Sequence, residues 1–295
     1  MTERTRLGQT ALALLQASGL PHRWRGRERF VLLDSDFGCG HVFIEAWRAW
    51  RADPERCGRL SVVTVCPRLP TRAELRSVHG EDDDAARCLV QAWPPQTPDL
   101  HTLVFEGGRV QLLLAVGDLR SRLPTLRVQA DALLARASAI DLDPKLLGRL
   151  GRKTGIGATL AIEIDTRQAG ETSGPLPADR LQAALRGSGF VARAGSANGV
   201  DGGGPGSGTV IATDHAPRFE PRRLPDAAVQ GRSAVVVGAG IGGAAVAQAL
   251  ARSGFEVTVL ERHSRAAAEA SGNPAGLFHA VAHAGNGPYA RLYRA

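Results

Sequence analysis

Methionine, tyrosine and lysine are scarce in this sequence. Its 295 residues hold one Met and two Tyr. The only lysines are Lys145 and Lys153; arginine supplies the rest of the Lys/Arg charge. That bias, together with abundant alanine, looks more like a GC-rich genome than selection for phosphate contacts. Cysteine is limited to Cys39, Cys57, Cys66 and Cys88, all in the first third and none in CxxC spacing. This excludes a zinc ribbon and a disulfide framework, and a reducing compartment, the cytoplasm, is expected. The opening MTERTRLGQT is polar, so no secretory signal is expected. Charge is also modest, at 22% charged against 43% hydrophobic residues, which excludes wholesale disorder. The length allows two domains. Basic residues outnumber acidic ones, 36 to 29, for a net +7, which suits an anionic partner such as nucleic acid without establishing one.

Long apolar runs are equally rare. Ser233 to Ala251 is free of charge for 19 residues, about the length of a bilayer helix. Its start is dense in glycine and its period switches partway, so a buried strand, a tight turn and a helix are predicted there. No membrane association is expected.

The pattern elsewhere is that of an α/β protein. ERFVLLD (28–34) reads as a strand, SDFGCG as a glycine turn, and HVFIEAWRAW as a helix with Val42, Phe43, Ala46, Trp47 and Trp50 on one face. RLSVVTVC (59–66) is a second strand. A helix follows with Thr71 as N-cap and Glu74 at the capping-box position. RVQLLLAVGD (109–118) is a third strand. Strands alternating with helices imply a parallel sheet covered on both faces. Seven glycines crowd Gly195 to Gly208; this stretch and the Pro/Arg-rich one after it are read as a linker over 195–232.

The most specific motif begins at Ser233. AVVV is a strand; Gly238, Gly240 and Gly243 form GxGxxG; AAVAQALARSG is a helix; FEVTVLE is a second strand ending in Glu261, 23 residues after Gly238. Gly238 makes the sharp turn, Gly240 admits a pyrophosphate to the backbone, and Gly243 lets helix and strand pack closely. The helix N-terminus offers N–H groups and positive dipole to phosphates. An acid at 261 suits two free ribose hydroxyls, so FAD or NAD rather than NADP. ASGNPAGLFH (270–279) resembles a flavin-contacting loop of amine-oxidising FAD enzymes, which would bring Ser271, Gly272, Asn273 and Gly276 to the cofactor. His279 and His283 lie four apart with no third ligand in view, so no metal site is assigned.

VLLDSDFGCG (31–40) resembles the first motif of S-adenosylmethionine methyltransferases. Gly38 and Gly40 would face the methionine part of the cofactor and Asp118 its adenine side. The residues alone leave an ordinary α/β turn equally open. The ribose-binding acid expected at the end of the second strand is replaced by Cys66, and a thiol cannot accept two hydroxyl hydrogen bonds as a carboxylate does.

Taken in order, these segments resemble the bifunctional tRNA 5-methylaminomethyl-2-thiouridine biosynthesis family, MnmC. The resemblance rests on GLPHRW, RFVLLDSDFGCGHVFIEAWRAW, LPTRAEL, QAWPP, GRVQLLLAVGD and, above all, VVVGAGIGGAAVAQALARSGFEVTVLERH with ASGNPAGLFHAVAH. It implies a Rossmann-like methyltransferase domain over 1–194, the linker, and the start of an FAD-binding Rossmann domain over 233–295. It further implies FAD-dependent removal of the carboxymethyl group from 5-carboxymethylaminomethyluridine in tRNA. Methylation of the exposed amine by S-adenosylmethionine follows.

The chain departs from the family's pattern. Asp36 and Cys39 replace a Gly and a Thr of the glycine motif, Cys66 replaces the ribose acid, and Arg136 stands where the family carries an active-site Asp. A degenerate methyltransferase domain that no longer transfers methyl groups is therefore expected. Only 33 residues follow Arg262, so a truncated oxidoreductase domain is expected as well. No catalytic residue is assigned, and a monomer is favoured. Two alternatives remain: a non-catalytic remnant that binds tRNA through Arg218, Arg222 and Arg223, or a piece of an FAD amine oxidase with no RNA substrate.

Overall fold

The structure is a computed structural model that describes residues 3–80, 83–136, 143–164, 185–192, 200–201, 209–215 and 233–274. It divides into two compact units, Met1–Leu224 and Pro225–Ala295.

The first unit is built on one mixed sheet. Its strands are β1 (Arg29–Asp34), β2 (Arg59–Cys66), β3 (Asp99–Phe105), β4 (Val110–Val116), β5 (Ala130–Arg136), β6 (Thr154–Ile164), β7 (Phe190–Ala192), β8 (Val200–Asp201) and β9 (Thr209–His215), in the order β3-β4-β2-β1-β5-β6-β9-β7, with β8 also on β9. Strands β4, β2, β1, β5 and β6 run parallel; β3 and β9 are antiparallel to their neighbours. The chain winds outward from β1 in both directions, so a topological switch point lies between β1 and β5, where open α/β sheets place their ligands.

Alternation along the strands divides the core. Phe30 and Leu32 of β1 face one apolar cluster, and Val31 and Leu33 face the other. The first cluster packs against α1 (Glu3–Ala17), α2 (His41–Ala52), α3 (Arg72–His79) and α4 (Asp84–Gln91). The predicted face of α2, with Phe43, Trp47 and Trp50, is wholly buried. At roughly 1.5–3 kcal/mol per fully buried large apolar side chain, that face fixes α2 and with it the turn that precedes it. The capping box of α3 forms as predicted: Glu74 N donates to Thr71 Oγ1 at 3.1 Å, and Thr71 N donates to Glu74 Oε2 at 2.5 Å. The second cluster packs against α5 (Leu119–Arg122) and α6 (Pro144–Gly151).

One expectation changes. The span 195–232, read as a linker, supplies β8 and β9 to the sheet. The β-branched run TVIAT pairs with β6 from Thr159↔Asp214 to Ile164↔Thr209. Glycine crowding on its N-terminal side masks that run in the sequence. Arg218, Arg222 and Arg223 lie outside the described residues.

The second unit pairs β10 (Ser233–Val237) with β11 (Glu256–Leu260) in parallel, joined by α7 (Ile241–Arg252). The charge-free run is thus strand, turn and helix. Among the described residues, no helix is long and apolar enough to cross a membrane.

Candidate functional sites

In the second unit the glycines sit at the strand-to-helix junction. Gly238 follows β10 with φ +99°, a left-handed conformation that favours glycine, and its N–H donates to Leu260 O at 2.7 Å. Gly240 is the N-cap of α7. The first helical bond is Ala244 N to Gly240 O, so the amides of Ile241, Gly242 and Gly243 precede it. A Cβ at Gly243 would lie 1.8 Å from Gly238 O, which explains the glycine: helix and turn touch backbone to backbone. A Cβ at Gly240 would meet Ser271 Oγ at 2.8 Å.

Glu261, just past β11, reaches back to this turn. Its Oε2 accepts from Ala239 N at 2.7 Å and its Oε1 from His263 N at 3.0 Å. The Ala239 N–H, then that of His263, hold its carboxyl below the usual range, so it is anionic at neutral pH. Each oxygen keeps a lone pair for a ribose hydroxyl. The loop after Glu261 folds onto the turn. Ala267 N donates to Ala239 O at 3.0 Å, and Ile241 N donates to Ser271 Oγ at 3.1 Å. Gly272 is forced, since a Cβ there would lie 2.0 Å from Ala267 O. Asn273 is exposed at the end of this loop. Gly276, His279 and His283 fall outside the described residues.

These groups fit an adenine dinucleotide. The turn presents amides and positive dipole, a built Cβ at Gly238 or Gly242 meets nothing within 4 Å, and an anionic carboxylate stands beside them.

The first unit brings Gly38, Gly40 and Asp118 to the C-terminal ends of β1 and β4, but the space they frame is filled from within. Gly38 (φ +54°) and Gly40 (φ +82°) turn the chain into α2. A Cβ on Gly40 would lie 2.7 Å from Phe37 Cζ, and the Phe37 ring stacks on Trp93 at 5.3 Å. Arg136, the last residue of β5, covers the turn. Its Nη1 is 3.1 Å from a Cβ built on Gly38 and 3.2 Å from Asp36 Oδ2; its Nε is 3.5 Å from Glu163 Oε2 on β6. Its backbone N–H donates to Ser35 Oγ at 3.2 Å.

The other positions are committed too. Asp118 caps α5, accepting from Ser121 N at 3.0 Å. Cys66 is buried, and that burial pushes its thiol up to about 12, so it stays neutral. All four cysteines are free thiols. A cofactor with a sulfonium cation and a ribose diol meets the Arg136 guanidinium at the turn and, at the last residue of β2, a neutral thiol in the position expected for a ribose-binding acid. S-adenosylmethionine therefore does not fit.

Sequence reasoning missed Asp34. It ends β1 beneath this cluster, 4% exposed, with Oδ2 3.2 Å from Thr64 Oγ1 and Oδ1 3.3 Å from Asp36 N. Burial raises its carboxyl to about 7, although Arg136 pulls the other way. The folded protein thus keeps this proton to about pH 7, while the unfolded chain releases it near the ordinary aspartate value of 3.8. Across that window the native state binds more protons, so stability falls as pH rises, and it is flat on either side. A loss of about 3 kcal/mol between pH 5 and pH 8 is expected, and Asp34→Asn should abolish it. All four tryptophans lie in the first unit, so urea unfolding followed by tryptophan emission measures this directly.

Comparison with known proteins places these features. A family model described as FAD dependent oxidoreductase matches residues 233–295. The tRNA 5-methylaminomethyl-2-thiouridine biosynthesis bifunctional protein MnmC of Methylibium petroleiphilum is 39% identical over 306 residues, covering 98% of this chain and 43% of that protein. The MnmC of Paraburkholderia phytofirmans is 40% identical over 287 residues, covering 92% of this chain and 41% of that protein. The chain thus spans about two fifths of the length of the curated relatives it matches. Among solved structures, MNMC2 from Aquifex aeolicus aligns at 17% identity and TM-score 0.48, over 75% of this chain and 66% of that one, a likeness too slight to carry weight.

Proposed function

We propose that this chain, which is similar to MnmC proteins over nearly its whole length, serves wobble-uridine modification in tRNA by flavin-dependent amine oxidation, without methyl transfer. The observation that supports the oxidative half most is the carboxylate of Glu261 held 2.7 Å from Ala239 N, on a turn where Gly243 cannot bear a side chain. In this reading the amides of Gly242 and Gly243 at the start of α7 would hold the pyrophosphate of FAD, and Glu261 its adenosine ribose. Ser271 and Gly272 close the loop over the turn, and Asn273 would extend it toward the flavin. The chemistry that a bound FAD supplies is acceptance of a hydride from the carbon beside the substrate amine. The tRNA is the partner this activity requires, and the net positive charge suits it.

Methyl transfer is a different matter. It needs a neutral amine in line with a sulfonium methyl. In the first unit Arg136 occupies the turn where that cofactor would lie, and Cys66 offers its ribose no acceptor. The first unit then acts as a scaffold, with Gly38, Gly40 and Asp118 retained as structural turn residues.

The test is nucleoside mass analysis of tRNA bearing 5-carboxymethylaminomethyluridine after incubation with the purified chain and FAD. The expected product is 5-aminomethyluridine, and adding S-adenosylmethionine should leave it unmethylated. An unchanged carboxymethyl nucleoside counts against the oxidative half, and a methylated product against the loss of methyl transfer.

A further inference from the structure

A second feature of the first unit lies at the opposite ends of the strands from Gly38 and Arg136. Leu123, Pro124, Arg149, Arg152 and Lys153 line a pocket of about 260 Å³. That is several times the roughly 30 Å³ a water molecule occupies in the liquid. Lys153 immediately precedes β6, and its carbonyl accepts from Ala130 N at 2.7 Å, which places the pocket at the N-terminal ends of β5 and β6.

Three cations and no acid line this pocket. Arginines elsewhere in the unit, such as Arg25, Arg48, Arg51 and Arg120, each hold a carboxylate. Among the described residues, no ion pair engages Arg149 or Arg152. Burial, together with the neighbouring Arg152, shifts the Lys153 amine below the usual lysine range, as expected where positive charge is concentrated. The C-terminal dipole of α6 tolerates cations in its last turn. A dipole alone, however, requires neither three of them nor a cavity between them. The apolar floor of Leu123 and Pro124 and the planar forks of two arginines suit a phosphodiester, whose oxygens take paired N–H donors.

We infer that this pocket docks a backbone phosphate of the RNA substrate, away from the cleft at the strands' C-terminal ends. The inference rests on the tRNA reading given above. Each phosphate contact adds about one to the salt dependence of binding. The test is fluorescence anisotropy of labelled tRNA with the full chain across a salt series. Arg149→Gln/Arg152→Gln is compared with the unaltered chain and with Arg76→Gln, an exposed cation on α3.

The double variant should bind about tenfold more weakly and lower the slope of log K against log salt by about 1, while Arg76→Gln changes neither. Arg149→Glu/Arg152→Glu should weaken binding further, with tryptophan emission reporting an intact fold in each case. An unchanged slope in the double variant overturns this site and leaves the tRNA reading standing. Failure of the unaltered chain to bind tRNA overturns both. Retention of poly-glutamate in that case marks an acidic protein as the occupant.

Discussion

Alanine at Gly243 is expected to abolish dinucleotide binding and loosen the second unit, while alanine at Gly242, one residue earlier, does neither. Both residues lie in the first turn of α7, so helix propensity alone predicts a gain of up to about 1 kcal/mol at each. The surroundings reverse the sign at one of them. A Cβ on Gly243 would stand 1.8 Å from Gly238 O and 2.9 Å from Gly238 C, whereas one on Gly242 meets nothing within 4 Å. Both clashing atoms are backbone, so no rotamer relieves the overlap. The helix must move off the turn, and its amides move with it. Overpacking typically costs about 1–3 kcal/mol, and a backbone clash this close belongs at or above the top of that range. Because 1.4 kcal/mol is a factor of ten, FAD affinity should fall at least about a hundredfold in Gly243→Ala. Flavin fluorescence titration measures the affinity. Hydrogen exchange of the β10 and β11 amides measures the unit, with tryptophan emission from the first unit as internal control. Equal affinity and equal protection in Gly243→Ala and the unaltered chain would show that the turn is not the binding element.

This contrast between neighbours shows what was legible in the sequence. The GxGxxG turn could be read because its whole mechanism is local: strand, turn, helix and terminal acid fall within thirty residues, each constrained by its own spacing. The helix 41–50 and the Thr71 capping box were legible for the same reason. Strand β3 was not. His101 and Thr102 break its apolar run, and its pairing with β4 depends on a hairpin turn through Gly107 and Gly108. Strand β9 was hidden by its glycine-rich flank and defined only by its partner β6. The charge cluster in the first unit is the furthest from view. Asp36, Arg136 and Glu163 follow β1, end β5 and lie on β6 respectively. A sequence can show that Arg136 is unexpected there, but only the sheet shows that two carboxylates hold it over Gly38. Asp34 escaped notice because its unusual acidity comes from burial, which a short apolar strand does not announce.

That cluster carries the second large expectation: the chain does not bind S-adenosylmethionine, and removing Arg136 destabilises the first unit without restoring binding. Two independent obstacles stand in the cleft. The guanidinium lies over Gly38, where the turn would have to receive the cofactor's amino-acid end. At the end of β2 the neutral thiol of Cys66 stands in place of a ribose-binding carboxylate. Deleting Arg136 lifts only the first. It also strips Asp36 and Glu163 of their partner, with the side chains of all three between 17% and 28% exposed. Breaking a fully buried pair costs about 3–5 kcal/mol; with solvent reaching these groups, about 1–3 kcal/mol is expected for Arg136→Ala. The loss should be smaller at pH 5 than at pH 8. Without the guanidinium the pKa of Asp34 rises further, and its proton, retained in the folded state, protects stability only on the acidic side. Calorimetric titration should therefore show no saturable heat for S-adenosylmethionine with either the unaltered chain or Arg136→Ala, while urea unfolding separates the two proteins by a margin that widens with pH. Micromolar binding by the unaltered chain would mean that Arg136 swings clear of the turn at little cost, and that the cleft is gated rather than closed.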